Sequence, residues 1–151
     1  MARVQLALNV SNLDDAVAFY ATYFRCAPAK VRPGYANFSI NDPPLKLVLI
    51  EGHGVAGSIN HLGVEVDSSS EVGAAASRLA DAGVTADFEG GTTCCYAVQD
   101  KVWVTGPDDS RWETYTVLRD APDDLAPEDV TSGSDCCSAA TVPPIHESVC
   151  C

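Results

Sequence analysis

The chain has 151 residues, 46% of them hydrophobic, which is enough for one domain or two small fused halves with a buried core. Twenty-one acids against nine bases give a net charge of −12, and phosphate contacts and anionic membranes both need the lysine and arginine clusters that are absent here. No apolar run approaches the roughly 18 residues of a transmembrane helix, and "MARVQLALNV" has no charged segment followed by a long apolar one, so the reading is cytoplasmic, without membrane or nucleic-acid partners.

In chain order, "RVQLALNV" reads as a strand. "SNLDDAVAFYATYF" follows as a helix, with Ser11 or Asn12 as its N-cap, acids in the first turn, and Leu13, Val17, Tyr20 and Phe24 at helical spacing. Pro28, Pro33 and Gly34 punctuate the next segment. "YANFSI" and "LKLVLIE" are two strands separated by the turn "NDPP", and "GHGVAGSIN" is a glycine-rich connection.

The order then recurs. "INHLGVEV" is a strand and "SSSEVGAAASRLADAG" a serine-capped helix that stops near Gly83. "VTADFE", "CCYAVQ", "KVWVTG" and "RWETYTV" are four further strand-like runs. Aligning "VQLALNV" with "NHLGVEV" places Gln5 on His61. The expectation is an α+β fold of two βαβββ modules, about residues 1–55 and 56–119, closing a barrel-like cavity. Residues 1–119 carry 14 acids and nine bases, a net of −5; residues 120–151 carry seven acids and no Lys or Arg, a net of −7. This Pro-, Asp- and Ser-rich tail cannot bury enough apolar surface to offset its ordering entropy and is read as disordered.

A candidate metal centre comes from the repeat. His61 opens the second half, Gln5 holds the matching place in the first, and Glu113 sits on the last strand, sharing a face with Tyr115 by alternation. A carboxylate in an otherwise apolar strand needs a partner. If the first strand of each half and the last strand of the second meet in the cavity, Gln5, His61 and Glu113 converge there. An amide, an imidazole and a carboxylate leave open positions, as in the facial triad of non-haem Fe(II) oxygenases with Gln in place of one His. Taken singly, His61 reads as a satisfied polar residue and Glu113 as part of a solvated strand face.

The seven cysteines are Cys26 and three adjacent pairs, 94/95, 136/137 and 150/151. In a reducing compartment they read as ligands or free thiols, with a vicinal disulfide disfavoured. Neighbouring side chains on a regular strand diverge, so a joint role for Cys94 and Cys95 requires a loop or bulge, for which Gly90 and Gly91 supply backbone freedom. The alternative is two buried small hydrophobes. Lys101 reads as a solvated strand lysine, with electrostatic support of nearby thiolates as its other possible role. Tyr96, Trp103 and Tyr115 are candidates for a pocket wall, though large aromatics are more often core.

The βαβββ duplication with His61 and Glu113 resembles the vicinal oxygen chelate superfamily of glyoxalases, extradiol dioxygenases and fosfomycin and bleomycin resistance proteins, over residues 1 to about 118. "GYANFSINDPPLKLVL", "NHLGVEV" and "GTTCCYAVQDKVWVTGPDDSRWETYTV" look like the organoarsenical C–As lyases and the related cadmium-induced proteins. The resemblance implies an Fe(II)-dependent, O2-consuming dioxygenase-type lyase that converts methylarsenite or reduced aromatic arsenicals to arsenite. It places the metal on Gln5, His61 and Glu113 and the arsenic on Cys94 and Cys95, with Lys101 and Tyr115 as possible auxiliaries. The chain is expected as a monomer or homodimer. The alternative function is sequestration of cadmium or arsenite without turnover, to which Cys136, Cys137, His146, Cys150 and Cys151 would suit the tail.

Overall fold

A computed structural model describes residues 1–94 and 96–121. Its elements follow the duplicated order. The first half is β1 (Arg3–Val10), α1 (Leu13–Phe24), β2 (Lys30–Arg32), β3 (Tyr35–Asn41) and β4 (Pro44–Glu51). The second is β5 (Ile59–Glu65), α2 (Ser69–Asp81), β6 (Ala86–Cys94), β7 (Ala97–Thr105) and β8 (Arg111–Asp120), with one 3-10 turn at Pro107–Asp109 before β8. Each half is a βαβββ unit.

Local chemistry explains the helix boundaries. Asn12 is the cap of α1: its side chain accepts from Asp15 N at 2.9 Å, and Asp14 and Asp15 sit at the positive end of the helix dipole. The helix stops at Arg25, which adopts a left-handed conformation with φ 55°. At α2, whose N-cap is Ser68, Glu71 reaches back to accept from Asp67 N and Ser68 Oγ, both at 3.0 Å, and places a carboxylate at the positive end of the helix dipole. The helix is followed by Gly83 at φ 71°, a conformation glycine adopts without steric cost.

The eight strands form one mixed sheet in the order β2-β3-β4-β1-β5-β8-β7-β6, curled into a half-barrel. Its centre is the antiparallel β1–β5 pair, in which Gln5 faces Gly63, Leu6 faces Leu62 and Ala7 faces His61. This register is symmetric about Leu6–Leu62, so a pseudo-twofold axis relates the halves. β1 pairs parallel with β4, and β5 pairs parallel with β8.

The even residues of β1, Leu6, Leu8 and Val10, pack with Leu13, Val17, Tyr20 and Phe24 of α1 over the buried Phe38, Leu47 and Leu49. The odd residues Gln5, Ala7 and Asn9 point into the half-barrel and are all buried. A buried strand face carrying Gln and Asn is unusual, because buried polar groups require partners.

Several sequence expectations are corrected. "CCYAVQ" and "KVWVTG" are not two strands: Ala97–Thr105 is continuous as β7. "VTADFE" does not end at the glycines, since β6 runs on to Cys94 across a register shift between Glu89 and Thr92, with Gly91 at φ 62°. The backbone freedom of Gly90 and Gly91 takes the second of the two expected forms, a β-bulge in place of a loop. The short β2 pairs with β3 where only punctuation was read. β8 extends through Asp120, and the following Ala121 is buried and donates to Tyr96 O. The tail from 122 onward, with its four cysteines and His146, lies outside the described residues. Among the described residues, no helix is long and apolar enough to cross a membrane.

Candidate metal centre

Three strands bring the predicted donors together. The β1–β5 register sets Gln5 across from Gly63, two residues from His61, and the β5–β8 register sets Gly63 beside Glu113. Gly63 therefore lies between the two side chains, and a Cβ there would fall 3.1 Å from Glu113 Cγ and 3.3 Å from both Cβ and Nε2 of Gln5. Its bare backbone is the floor of the site.

Above that floor, Gln5 Nε2 donates to Glu113 Oε1 at 2.7 Å and lies 3.0 Å from His61 Nε2. His61 Nε2 is 3.4 Å from Glu113 Oε1. All three side chains are at most 6% exposed. Among the described residues, no three His, Cys, Asp and Glu side chains gather as a metal set; this site reaches three donors through the amide of Gln5.

The surrounding hydrogen bonds orient the donors. Asn60 Nδ2 donates to Asn9 Oδ1 at 2.9 Å, which leaves Asn60 Oδ1 to accept from His61 Nδ1 at 2.7 Å. The His61 proton is thereby held on Nδ1 and the lone pair on Nε2, facing the centre. Asn9 Nδ2 passes the chain on to Ser58 Oγ at 2.9 Å, and Ser58 Oγ donates to Val55 O at 2.6 Å. The Trp103 ring packs against His61 in a T-shaped contact, with ring centroids 5.4 Å apart.

Lys101 corrects an expectation. It is 1% exposed rather than solvated, and its Nζ lies 3.3 Å from Glu113 Oε2 and 5.4 Å from the Trp103 ring centroid. Burial would raise the Glu113 carboxyl, but His61, the Lys101 ammonium and the Gln5 amide outweigh it and hold the group below its ordinary range. Glu113 Oε2 nevertheless accepts no directed hydrogen bond, its contact with Lys101 being one of charge alone. Tyr115 is fully buried and donates from its hydroxyl to Gln5 Oε1 at 2.5 Å. Burial, then the nearby Glu65 and Glu113 carboxylates, push that hydroxyl above its ordinary range, so it stays protonated.

The donor set and the glycine floor fit a divalent cation. A neutral amide, an imidazole with its lone pair inward and one carboxylate are borderline-hard donors of the kind suited to first-row metals. The site is single. Under the pseudo-twofold, Ala7 corresponds to Gly63, and Val48, paired with Ala7, corresponds to Glu113. The first half has an apolar residue where the second has its carboxylate.

Cys94 sits at the end of β6 opposite Ala97, on the face it shares with Gln99, Lys101 and Trp103, and it is buried. Ala97 is six residues along β7 from Trp103, the residue opposite Glu113, a span of about 20 Å if fully extended. The strand ends curl back over the first half. Tyr96, at φ 64°, donates from its hydroxyl to Pro33 O at 3.2 Å and packs against Tyr35, and Lys30 Nζ bonds to Tyr96 O at 3.1 Å and pairs with Asp120. Cys95 lies outside the described residues. A cleft of about 460 Å3 opens between Arg3, Ile40, Pro44, Glu65 and Val117, with Arg3 and Glu65 paired to each other.

Asn9, Asn60 and Gly63 were not singled out from the sequence. A usable signal existed for Asn9, which shares the inward face of β1 with Gln5 at even spacing. Nothing local marks Gly63, whose role depends on two strands pairing on either side of it.

The sequence model of the Glyoxalase/Bleomycin resistance protein/Dioxygenase superfamily matches residues 3–114. The chain is 61% identical over 121 residues to the cadmium-induced protein CadI of Mycobacterium tuberculosis, covering 80% of each. It is 57% identical over 139 residues to a trivalent organoarsenical cleaving enzyme of Thermomonospora curvata, covering 91% of this chain and 89% of that one. The Mn(II)-bound glyoxalase of Novosphingobium aromaticivorans shares the fold with a TM-score of 0.56 at 22% identity, over 85% of this chain but 44% of that structure. With the family match spanning both βαβββ units and the donors on the strands that frame their shared cavity, the chain belongs to the glyoxalase/bleomycin resistance protein/dioxygenase superfamily.

Proposed function

We propose that this protein is a C–As lyase that cleaves trivalent organoarsenicals to arsenite in an Fe(II)-dependent, O2-consuming reaction in the cytoplasm. The observation that carries the reading is the buried meeting of Gln5, His61 and Glu113 in a chain 57% identical to a protein named for organoarsenical cleavage. Gln5, His61 and Glu113 would hold the metal, which when bound supplies open positions for O2.

The remaining roles belong to the chain's own side chains. Cys94 and Cys95 hold the arsenic, because trivalent arsenic is thiophilic and two thiolates leave its carbon substituent free. Cleavage then requires the thiol-bearing end of β6 to lie over the centre. The bulge at Gly91 and the left-handed turn at Tyr96 allow the chain to bend there. Trp103 walls the site against water, and Lys101 keeps Glu113 ionised. Holding the As–C bond at the centre is chiefly a positioning effect.

A second reading follows from the 61% identity to a protein named for cadmium induction: cadmium or arsenite is bound without turnover. Incubation of the full chain with methylarsenite and Fe(II), with and without O2, separates the two. Arsenite release only with O2 supports the lyase; stoichiometric capture with no release under either condition sinks it. In the same assay Cys94→Ser and Cys95→Ser should lose release while retaining metal binding.

A further inference from the structure

The amide of Gln5 is turned the wrong way for a metal ligand. Its Nε2 stands 2.7 Å from Glu113 Oε1, where an amide oxygen would set two acceptors against each other, so the nitrogen side must face inward. The Asn60 contact places the His61 proton on Nδ1, so the inward Nε2 of His61 accepts from the same amide at 3.0 Å. Gln5 thus spends both N–H groups on the two lone pairs that a cation would need. Its Oε1 points away and is occupied by the Tyr115 hydroxyl at 2.5 Å.

We infer that the Gln5 carboxamide is a two-position latch on this centre, with the Tyr115 hydroxyl as the partner that serves both positions. With the nitrogen inward, Glu113 Oε1 and His61 Nε2 are paired by the N–H groups of the amide itself. A half-turn about the Cγ–Cδ bond brings Oε1 inward, as cation binding requires, and Nε2 outward. Tyr115 accommodates the turn because a hydroxyl both donates and accepts: it donates to Oε1 in the first position and accepts from Nε2 in the second. Gly63 leaves the room, since a side chain there would press on Gln5 Nε2 from 3.3 Å. Tyr115 is a positioning residue here, acting through Gln5. The inference rests on the reading of Gln5, His61 and Glu113 as a metal centre.

The test is nuclear magnetic resonance on the full chain labelled with 15N, stripped of metal and then given one equivalent of Zn2+ as a redox-silent probe. In the metal-free protein the Gln5 amide protons should show through-space contacts to the His61 ring. With Zn2+ the His61 Nε2 resonance should shift, and the Gln5 amide protons should lose the His61 contact and gain one to the Tyr115 ring. A shifted His61 Nε2 with unchanged Gln5 contacts overturns the latch and leaves the metal centre standing. An unshifted His61 Nε2 overturns the metal centre and the latch with it. Metal-free protein whose Gln5 amide protons already face Tyr115 overturns the latch alone.

Discussion

Gln5 and His61 hold equivalent places in the two halves, and this equivalence is legible in the sequence because strand-to-strand similarity survives at a fixed offset. Glu113 is legible because a carboxylate interrupts an apolar strand. Lys101 is not, since its partner is 12 positions away on the neighbouring strand and only cross-strand packing reveals that both are buried. Removing one member of a buried ion pair leaves the other charge uncompensated. Lys101→Met should therefore destabilise the fold by about 3 kcal/mol near neutral pH, read by urea denaturation. Asn60 is equally silent in the sequence, yet it holds the His61 tautomer. Asn60→Ala should lower divalent-metal affinity by roughly 10- to 100-fold with a small change in melting temperature, measured by titration calorimetry and thermal unfolding.

At the scale of elements, strand pairing converts separate side chains into a site. The alternation along β1 tells which residues share a face, but not that the Gln5 face is the buried one carrying polar groups. The register of β1 on β5 and of β5 on β8 places Gly63 between Gln5 and Glu113. Gly63→Ala should force both side chains aside, costing about 1–3 kcal/mol by overpacking. It should also weaken metal binding, whereas the matching change Ala7→Gly should spare it; both affinities can be read in the same titrations. The glycine pair at 90 and 91 is visible in the sequence as a break. It is a bulge within β6 because pairing resumes at Thr92 opposite Gln99 and carries the strand on to Cys94.

The whole molecule is held at its centre by contacts between the halves, among them Glu65 of β5 with Arg3 of β1 and Lys46 of β4. Burial would raise the Glu65 carboxyl, but the Arg3 hydrogen bond and the charges of Lys46 and Arg3 outweigh it and leave it below its ordinary 4.5. A carboxyl depressed on folding adds stability that is complete above its unfolded value and is lost as pH falls through the folded one. Glu65→Gln should therefore lower the urea midpoint near pH 7, and its difference from the parent protein should shrink as pH drops below about 4.5.

The sequence alone determined the duplicated βαβββ order and the places of the two helices, and it singled out Gln5, His61 and Glu113, because periodicity and repeat offset are local properties of the chain. The tertiary structure decided that the second half alone supplies a carboxylate at its pseudo-equivalent position, that Lys101 is buried against it, and that the Gln5 amide faces inward through its nitrogen. Each of these depends on which strands pair and in what register. Pairing is settled by burying one face of each strand across the whole sheet, and no single segment encodes it.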